Sequence, residues 1–261
     1  MFSRFTKIVL VSALGLTSFQ AQADLAADIK TQINNNKAQV EGAMNDVSDN
    51  LLAVFAHRGL APADTLGGGV FGFELGLDVS LIDLDSTKFN DVAGSDSDFD
   101  MSQVPLPKLS AGIGFPVIPL DLALTYLPEV GGFSYMSAHA KYAVLEGGAV
   151  MPAVALEANY SNASMDGALD VTTMGADVSV SKGFGVGIKF IPYAGVGYVQ
   201  GTTTISGDAI PAGVDLKTDY DSSASKLFVG ASVQLALINL VAQWDQIGDY
   251  QATSVKVGFR F

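Results

Sequence analysis

The sequence predicts an all-β protein: a transmembrane, antiparallel, up-and-down β-barrel of about ten strands, preceded by an amphipathic α-helix. From Val70 onward, apolar and polar residues alternate in repeated segments, which is the period of a strand with two different faces. The connections between these segments alternate between short and long, as they do between the two ends of an up-and-down barrel. The body of the chain has no uninterrupted apolar run of the ~20 residues that a membrane helix requires.

The first residues predict a secretory signal peptide over residues 1–23. Arg4 and Lys7 form a basic region, an apolar stretch follows, and Ala21-Gln22-Ala23 is a cleavage site, so the exported chain is expected to begin at Asp24. The formal net charge is −13. An acidic exported protein lacks the basic surface that nucleic acid requires, so we predict no nucleic-acid partner.

Residues 24–68 are predicted to form a helix and a loop, and residues 69–261 the barrel. The helix prediction rests on apolar residues at steps of four or seven, with a break expected at Asn34-Asn35-Asn36. These residues are Leu25, Ile29, Ile33, Val40, Val47, Leu51 and Phe55. The following HRGLAPADTLGGG reads as a loop because of its proline and glycine residues.

Ten strands follow from the alternation. They are expected near residues 70–81, 108–115, 119–126, 133–145, 150–161, 172–181, 188–204, 225–237, 240–246 and 251–261. Long polar connections are expected at 83–107, 162–171 and 205–223, with 127–132 and 247–250 at the same end of the barrel.

The apolar face is predicted to point outward, toward lipid. A soluble β-sandwich or a lipocalin also alternates, but with its apolar residues inside. Here the apolar faces are long and uniform and carry aromatic residues at their ends, as the aromatic girdles of membrane barrels do. These residues are Phe71, Phe115, Tyr126, Tyr142, Tyr160, Tyr198, Trp244 and Phe261. The opposite face is polar but mostly small, whereas a soluble sandwich exposes more Lys and Glu there.

The last strand, SVKVGFRF, places Phe259 and Phe261 on the lipid face and Lys256 and Arg260 on the lumen face. It resembles the C-terminal signature of bacterial outer-membrane β-barrels, which the barrel-assembly machinery reads. GLAPADTLGG and PYAGVGYV (192–199) resemble segments of poorly characterised proteobacterial outer-membrane barrels. A more distant resemblance is to the long-chain fatty acid transporters, which have more strands and an N-terminal hatch.

The resemblance implies a location and a set of partners. It implies the bacterial outer membrane, with its lipid and lipopolysaccharide, and the barrel-assembly machinery and periplasmic chaperones as partners. It assigns Phe259 and Phe261 to the assembly signal. It identifies no small-molecule ligand.

The lumen face is rich in glycine, alanine and serine, so its own side chains look insufficient to fill a barrel. Two positions for residues 24–55 stay open at this point. They lie in or under the barrel as a plug, or they form a periplasmic helix packed below it.

The charged lumen residues predict a polar network rather than a catalytic site. Lys256 and Arg260 are expected to meet Glu74 and Asp78 where the first and last strands close the barrel. His139 is expected to face the lumen near Asp121, in a network with Lys141 and Glu157. A His–Asp pair is a general-base candidate by residue type, but no nucleophile motif accompanies it, so we predict no enzyme activity.

No cofactor and no metal is predicted. Asp96-Ser-Asp98-Phe-Asp100 has alternating aspartates but lacks the glycine and the terminal glutamate of a calcium loop. A solvated acidic loop is the prediction for it, and weak divalent-cation binding near lipopolysaccharide is the alternative.

Three functions are compatible with these observations. The first is a barrel that passes or binds small molecules, apolar ones among them. The second is a structural or envelope-interaction barrel with an occluded lumen. An integral membrane hydrolase is a distant third.

Overall fold

The computed structural model describes residues 25–67, 70–83, 103–130, 132–148, 150–165 and 167–261. The predicted signal peptide and the alternating aspartates of the first long connection lie outside these residues.

Ten antiparallel strands form one closed barrel in which each strand pairs with its neighbours in sequence and the first pairs with the last. The strands are β1 (Gly72–Asp83), β2 (Gln103–Gly114), β3 (Leu120–Val130), β4 (Phe133–Leu145), β5 (Ala153–Met165), β6 (Leu169–Ser181), β7 (Ile188–Ile205), β8 (Asp219–Leu235), β9 (Ile238–Ile247) and β10 (Tyr250–Arg260). Closure gives every strand a neighbour on both sides, which is the condition for β-structure to cross a bilayer. The predicted fold class is confirmed.

One long helix, α1 (Leu25–Phe55), precedes the barrel. Asn36 has non-helical backbone angles (φ −157°, ψ 79°), so the helix is divided at the predicted Asn34-Asn35-Asn36 break. Within the described residues, no helix combines the length and the apolar character needed to cross a membrane.

The two faces of the wall have opposite character. On β1, Leu75 and Leu77 are 56% and 52% exposed on the outer surface, whereas Glu74 and Asp78 on the inner face are 8% and 4% exposed. The other strands repeat this pattern with outward Leu, Val, Ile, Tyr and Phe. A soluble sandwich or lipocalin would show the reverse, so the outward apolar face is confirmed.

Several of the predicted connections are shorter in the structure, because the strands extend further than expected. Residues 162–171 were expected to form a long loop, but β5 continues to Met165 and β6 starts at Leu169. Similarly, β3 runs to Val130, where the prediction ended it at residue 126. Polar side chains hid these strand ends because the alternation of apolar residues fades there. The backbone still pairs, as in Asn162 opposite Thr172, and this satisfies its hydrogen-bonding groups.

The barrel therefore has two ends. The loop end carries the connection at residues 206–218 and the tight turns after β3, β5 and β9, and the turn end carries the connections after β2, β4, β6 and β8. Near the loop end the inward side chains become apolar, among them Ile82, Leu106 and Val171, and they pack against α1.

Candidate functional site

Helix α1 enters the barrel from the loop end. The Lys37 ammonium contacts the backbone carbonyl of Asp215, and the backbone N–H of Lys217 donates to the Glu41 carboxylate at 3.2 Å. Apolar residues of the helix, such as Ile29 and Met44, are fully buried among the inward side chains near this end. The part of α1 just after the Asn36 break is therefore held by the long connection between β7 and β8.

Residues 48–66, which we call the lumen segment, continue through the barrel toward the turn end. Ser48 Oγ donates to the Tyr220 carbonyl of β8 at 3.0 Å. Phe55 lies seven residues after Ser48, and its carbonyl accepts from Ser161 Oγ of β5 at 2.6 Å. The end of α1, whose last carbonyls have no helical partner, is thus capped in part by the barrel wall.

Arg58 turns back on the helix that precedes it. Its guanidinium donates to the carbonyls of Ala53 (2.5 Å) and Val54 (3.0 Å), and its Nε lies 3.9 Å from Asp245 Oδ2 of β9. Arg58 is 4% exposed and Asp245 is fully buried. A cation at a helix C-terminus also faces the negative end of the helix dipole, so this arginine stabilises the end of α1.

The second half of the lumen segment is held through its backbone. Lys226 Nζ of β8 donates to the His57 carbonyl at 2.9 Å, and Lys141 Nζ of β4 donates to the Pro62 carbonyl at 2.9 Å. Near the turn end, the Leu66 N–H donates to Asp121 of β3 at 3.0 Å. Charged lumen side chains therefore satisfy backbone groups of an irregular segment that has no secondary structure of its own.

Small residues provide the space for this segment. A Cβ added to Gly201 of β7 would lie 2.9 Å from Leu52 Cδ1, and one added to Gly59 would lie 2.7 Å from Glu157 Oε2. The small-residue lining seen in the sequence thus allows the close approach of the lumen segment to the wall.

The structure places the four predicted seam residues next to one another across β1 and β10. Glu74 is in register with Arg260, and Asp78 with Lys256. The Lys256 ammonium contacts Glu74, diagonally across the pair, while Arg260 donates to the Thr65 carbonyl at 2.5 Å. The seam is therefore joined by one ion pair, and Arg260 holds the lumen segment instead of a carboxylate.

His139 and Asp121 both line the lumen, but the ion-pair partner of Asp121 is Lys141 and not His139. Asp121 is opposite Lys141 in the strand register, and its carboxylate lies 3.2 Å from Lys141 Nζ. His139 instead packs against His57, with 4.4 Å between ring centroids. Strand register decides this, because His139 and Lys141 are two residues apart and Asp121 lies opposite only one of them.

His139 belongs to a cluster with His57 and Glu157, which no local sequence pattern connects. His57 Nδ1 lies 3.0 Å from Ser137 Oγ, and His57 Nε2 lies 3.4 Å from Glu157 Oε1. His57 was assigned only to the loop before the barrel. The buried pair of Lys226 and Asp177, 2.9 Å apart, was also missed. A signal was present, since Lys226 and Asp177 both fall on the lumen face of their strands.

The lumen cavity beside this cluster is small. It has a volume of about 40 Å³ and is lined by His57, His139, Lys141 and neighbouring residues. A larger hollow of about 910 Å³ lies on the barrel wall around Ala111, Ala138 and Ala158, with outward aromatic residues at its margin.

No protein-family model and no curated protein matches the chain. Solved barrel structures do match. Neisserial surface protein A is 10% identical, with 73% of this chain and 95% of that chain covered and a TM-score of 0.32. Ail of Yersinia pestis is 12% identical, with 73% and 97% covered and a TM-score of 0.27. The β domain of the Bordetella autotransporter BrkA is 12% identical, with 73% and 98% covered and a TM-score of 0.38. Such likeness concerns the barrel fold alone.

The outer surface determines where this barrel resides. Large apolar side chains are exposed on all ten strands, which is far more than soluble monomers expose as one patch, and the sheet is closed into a barrel. A bilayer covers such a surface, and we conclude that the chain is an integral membrane protein of the β-barrel class.

Proposed function

We propose that the protein is an occluded outer-membrane barrel with a structural or envelope-interaction role, and that the lumen segment is its plug. The supporting observation is that side chains from strands β3 through β10 all contact this segment. They are Asp121, Lys141, Ser161, Ser181, Thr203, Lys226, Asp245 and Arg260. A segment held from so many directions supports an occluded lumen over an open path for solutes.

Conductance across planar bilayers tests this proposal. The full-length protein is expected to give no single-channel steps, because buried ion pairs and hydrogen bonds hold the plug. A variant lacking residues 24–60 is expected to conduct, since glycine and serine then line an emptied lumen. Heat-dependent gel mobility serves as the control for a folded barrel. Steps from the full-length protein would contradict occlusion and favour passage of solutes.

The hollow on the outer wall favours a second candidate, the binding of an apolar molecule from the membrane side. Ala111, Ala138 and Ala158 form its floor, and Phe73 and Tyr160 stand beside it. A lipid acyl chain fits this surface by its chemistry. Native mass spectrometry should show a lipid retained by the unchanged protein and lost from an Ala138→Phe variant, whereas equal retention would exclude the hollow.

Hydrolysis is not proposed. Ser137, His57 and Glu157 supply a hydroxyl, an imidazole and a carboxylate, but Ser137 is 1% exposed and the adjoining cavity has about 40 Å³. This volume is close to that of one water molecule, about 30 Å³, and leaves no room for a substrate. That the protein is not an enzyme stays a prediction, as do the assembly roles of Phe259 and Phe261 and the likeness to fatty acid transporters.

A further inference from the structure

Three side chains of types that commonly ligate metals lie close together where the lumen segment contacts the barrel wall. His57 comes from the lumen segment, His139 from β4 and Glu157 from β5, and one nitrogen or oxygen atom of each lies within 4.8 Å of the other two. No sequence motif contains this group, because its three members come from three different elements of the chain.

The facing atoms of this cluster have no hydrogen-bond partners among the described residues. His57 Nε2, His139 Nδ1 and Glu157 Oε1 are each buried and unpaired, and the 3.4 Å approach of His57 to Glu157 does not have hydrogen-bond geometry. His57 as a whole is 2% exposed. Buried polar atoms are nearly always paired in folded proteins, so three unpaired atoms at one point indicate a missing common partner.

The charge balance of the lumen indicates that this partner is a cation. Three other lumen carboxylates have a lysine as partner: Asp121 pairs with Lys141, Asp177 with Lys226 and Glu74 with Lys256. Among the described residues, Glu157 has no lysine or arginine within ion-pair distance, and the titratable side chain at that range is the imidazole of His57. A buried carboxylate requires a cation or a metal ion.

We propose that His57, His139 and Glu157 bind a divalent first-row transition metal ion, with zinc as the ion that best fits the ligands. Two imidazoles and a carboxylate are established zinc ligands. With ligand bonds of 2.0–2.1 Å, tetrahedral geometry separates neighbouring ligand atoms by about 3.3 Å. The His57–Glu157 separation of 3.4 Å matches this value, and the ligand atom of His139 lies within 4.8 Å of the other two.

The surroundings of the cluster support this assignment. When Nδ1–H of His57 donates to Ser137 Oγ, 3.0 Å away, the lone pair of Nε2 faces His139 and Glu157. Such a hydrogen bond to the second ring nitrogen commonly orients a histidine ligand. The cavity of about 40 Å³ beside the histidines has room for about one water molecule as a fourth ligand.

The site has a mechanical consequence that goes beyond the proposed occlusion. One ligand lies on the lumen segment and two lie on the wall, so a bound ion joins the two directly. The bound ion would fix the middle of the lumen segment to strands β4 and β5. The metal site depends on the position of the ligands and not on the absence of conductance, so metal binding and occlusion of the lumen are tested separately.

Metal binding by the full-length protein tests the proposal. The protein is purified in detergent with an affinity tag that contains no histidine, stripped with a chelator, and then given zinc or cobalt. We expect about one tightly held zinc ion per chain, visible absorption typical of four-coordinate cobalt, and a heat-unfolding midpoint several degrees higher with zinc. His57→Ala and His139→Ala should abolish the bound equivalent, and Glu157→Gln should weaken binding by at least tenfold.

Glu129→Gln is the matched control, because Glu129 is an exposed glutamate on β3 outside the cluster. It should bind zinc as the unchanged protein does. A chain that retains no zinc after dialysis, or equal retention by both histidine variants, would overturn the proposal. If the variants fail to fold, the cobalt spectrum of the unchanged protein decides, and a six-coordinate aqueous spectrum counts against the site.

Discussion

At the scale of single residues, this barrel interior is organised by matched buried charges. Lys256 and Glu74 are 5% and 8% exposed, and Asn239 also donates to Glu74 at 3.0 Å. Replacing one member of such a pair leaves the other as an uncompensated buried charge, which typically costs about 3–5 kcal/mol. Replacing both members costs far less, because neither charge then has to leave water.

We therefore predict that Lys256→Met destabilises the barrel by about 3 kcal/mol, and that adding Glu74→Gln restores most of the loss. Urea unfolding followed by the fluorescence of Trp244, the single tryptophan, measures both. Lys189→Met on the exposed surface is the control and should change little. Equal losses in the single and the double variant would show that the pair does not stabilise the seam.

At the scale of elements, the division of α1 has a local cause. The side-chain Oδ1 of Asn36 accepts from the Gln39 backbone N–H at 3.3 Å, and its amide donates to the Gln39 side chain at 3.1 Å. Asn36 thus acts as an N-cap, and the helix restarts after it. A local side-chain contact thus interrupts the helix, whereas strands β5 and β6 continue through polar residues that show no apolar alternation.

Asn36→Ala is predicted to remove this cap at a cost of about 1 kcal/mol. Backbone hydrogen exchange over residues 37–40 should then become roughly fivefold faster, since opening of this turn becomes easier by that amount. Asn35→Ala, one residue earlier and exposed, is the comparison. Unchanged exchange in Asn36→Ala would show that packing at the loop end, and not the cap, holds this part of the helix.

At the scale of the whole molecule, the chain passes through its own barrel. Helix α1 contacts the connection at residues 206–218 through Lys37, and the lumen segment ends beside Asp121 and Arg260 at the turn end, where β1 begins. In outer-membrane barrels the longer connections face outward and the short turns face the periplasm. The part of α1 around Asn35 and Lys37 is therefore expected at the cell-surface end of the barrel.

Cysteine labelling tests this orientation, and the chain offers no cysteine of its own to interfere. Asn35→Cys is predicted to react with a membrane-impermeant maleimide on intact cells, as Ala212→Cys in the 206–218 connection should. Val117→Cys at the turn end should react only after the outer membrane is permeabilised. Labelling of Val117→Cys but not Asn35→Cys on intact cells would reverse the assignment.

The sequence by itself determined the barrel, its strand number and the outward direction of its apolar face. These follow from local alternation along each strand, a property of consecutive residues. It also indicated the break near Asn36 and the small residues of the lumen.

Only the tertiary structure decided what those lumen residues contact. Strand register makes Lys141, and not His139, the ion-pair partner of Asp121. Closure of the sheet places Arg260 at the Thr65 carbonyl. The cluster of His57, His139 and Glu157 depends on the path of an irregular segment through the barrel. No local pattern encodes such a path, because it is fixed by contacts between residues far apart in the chain.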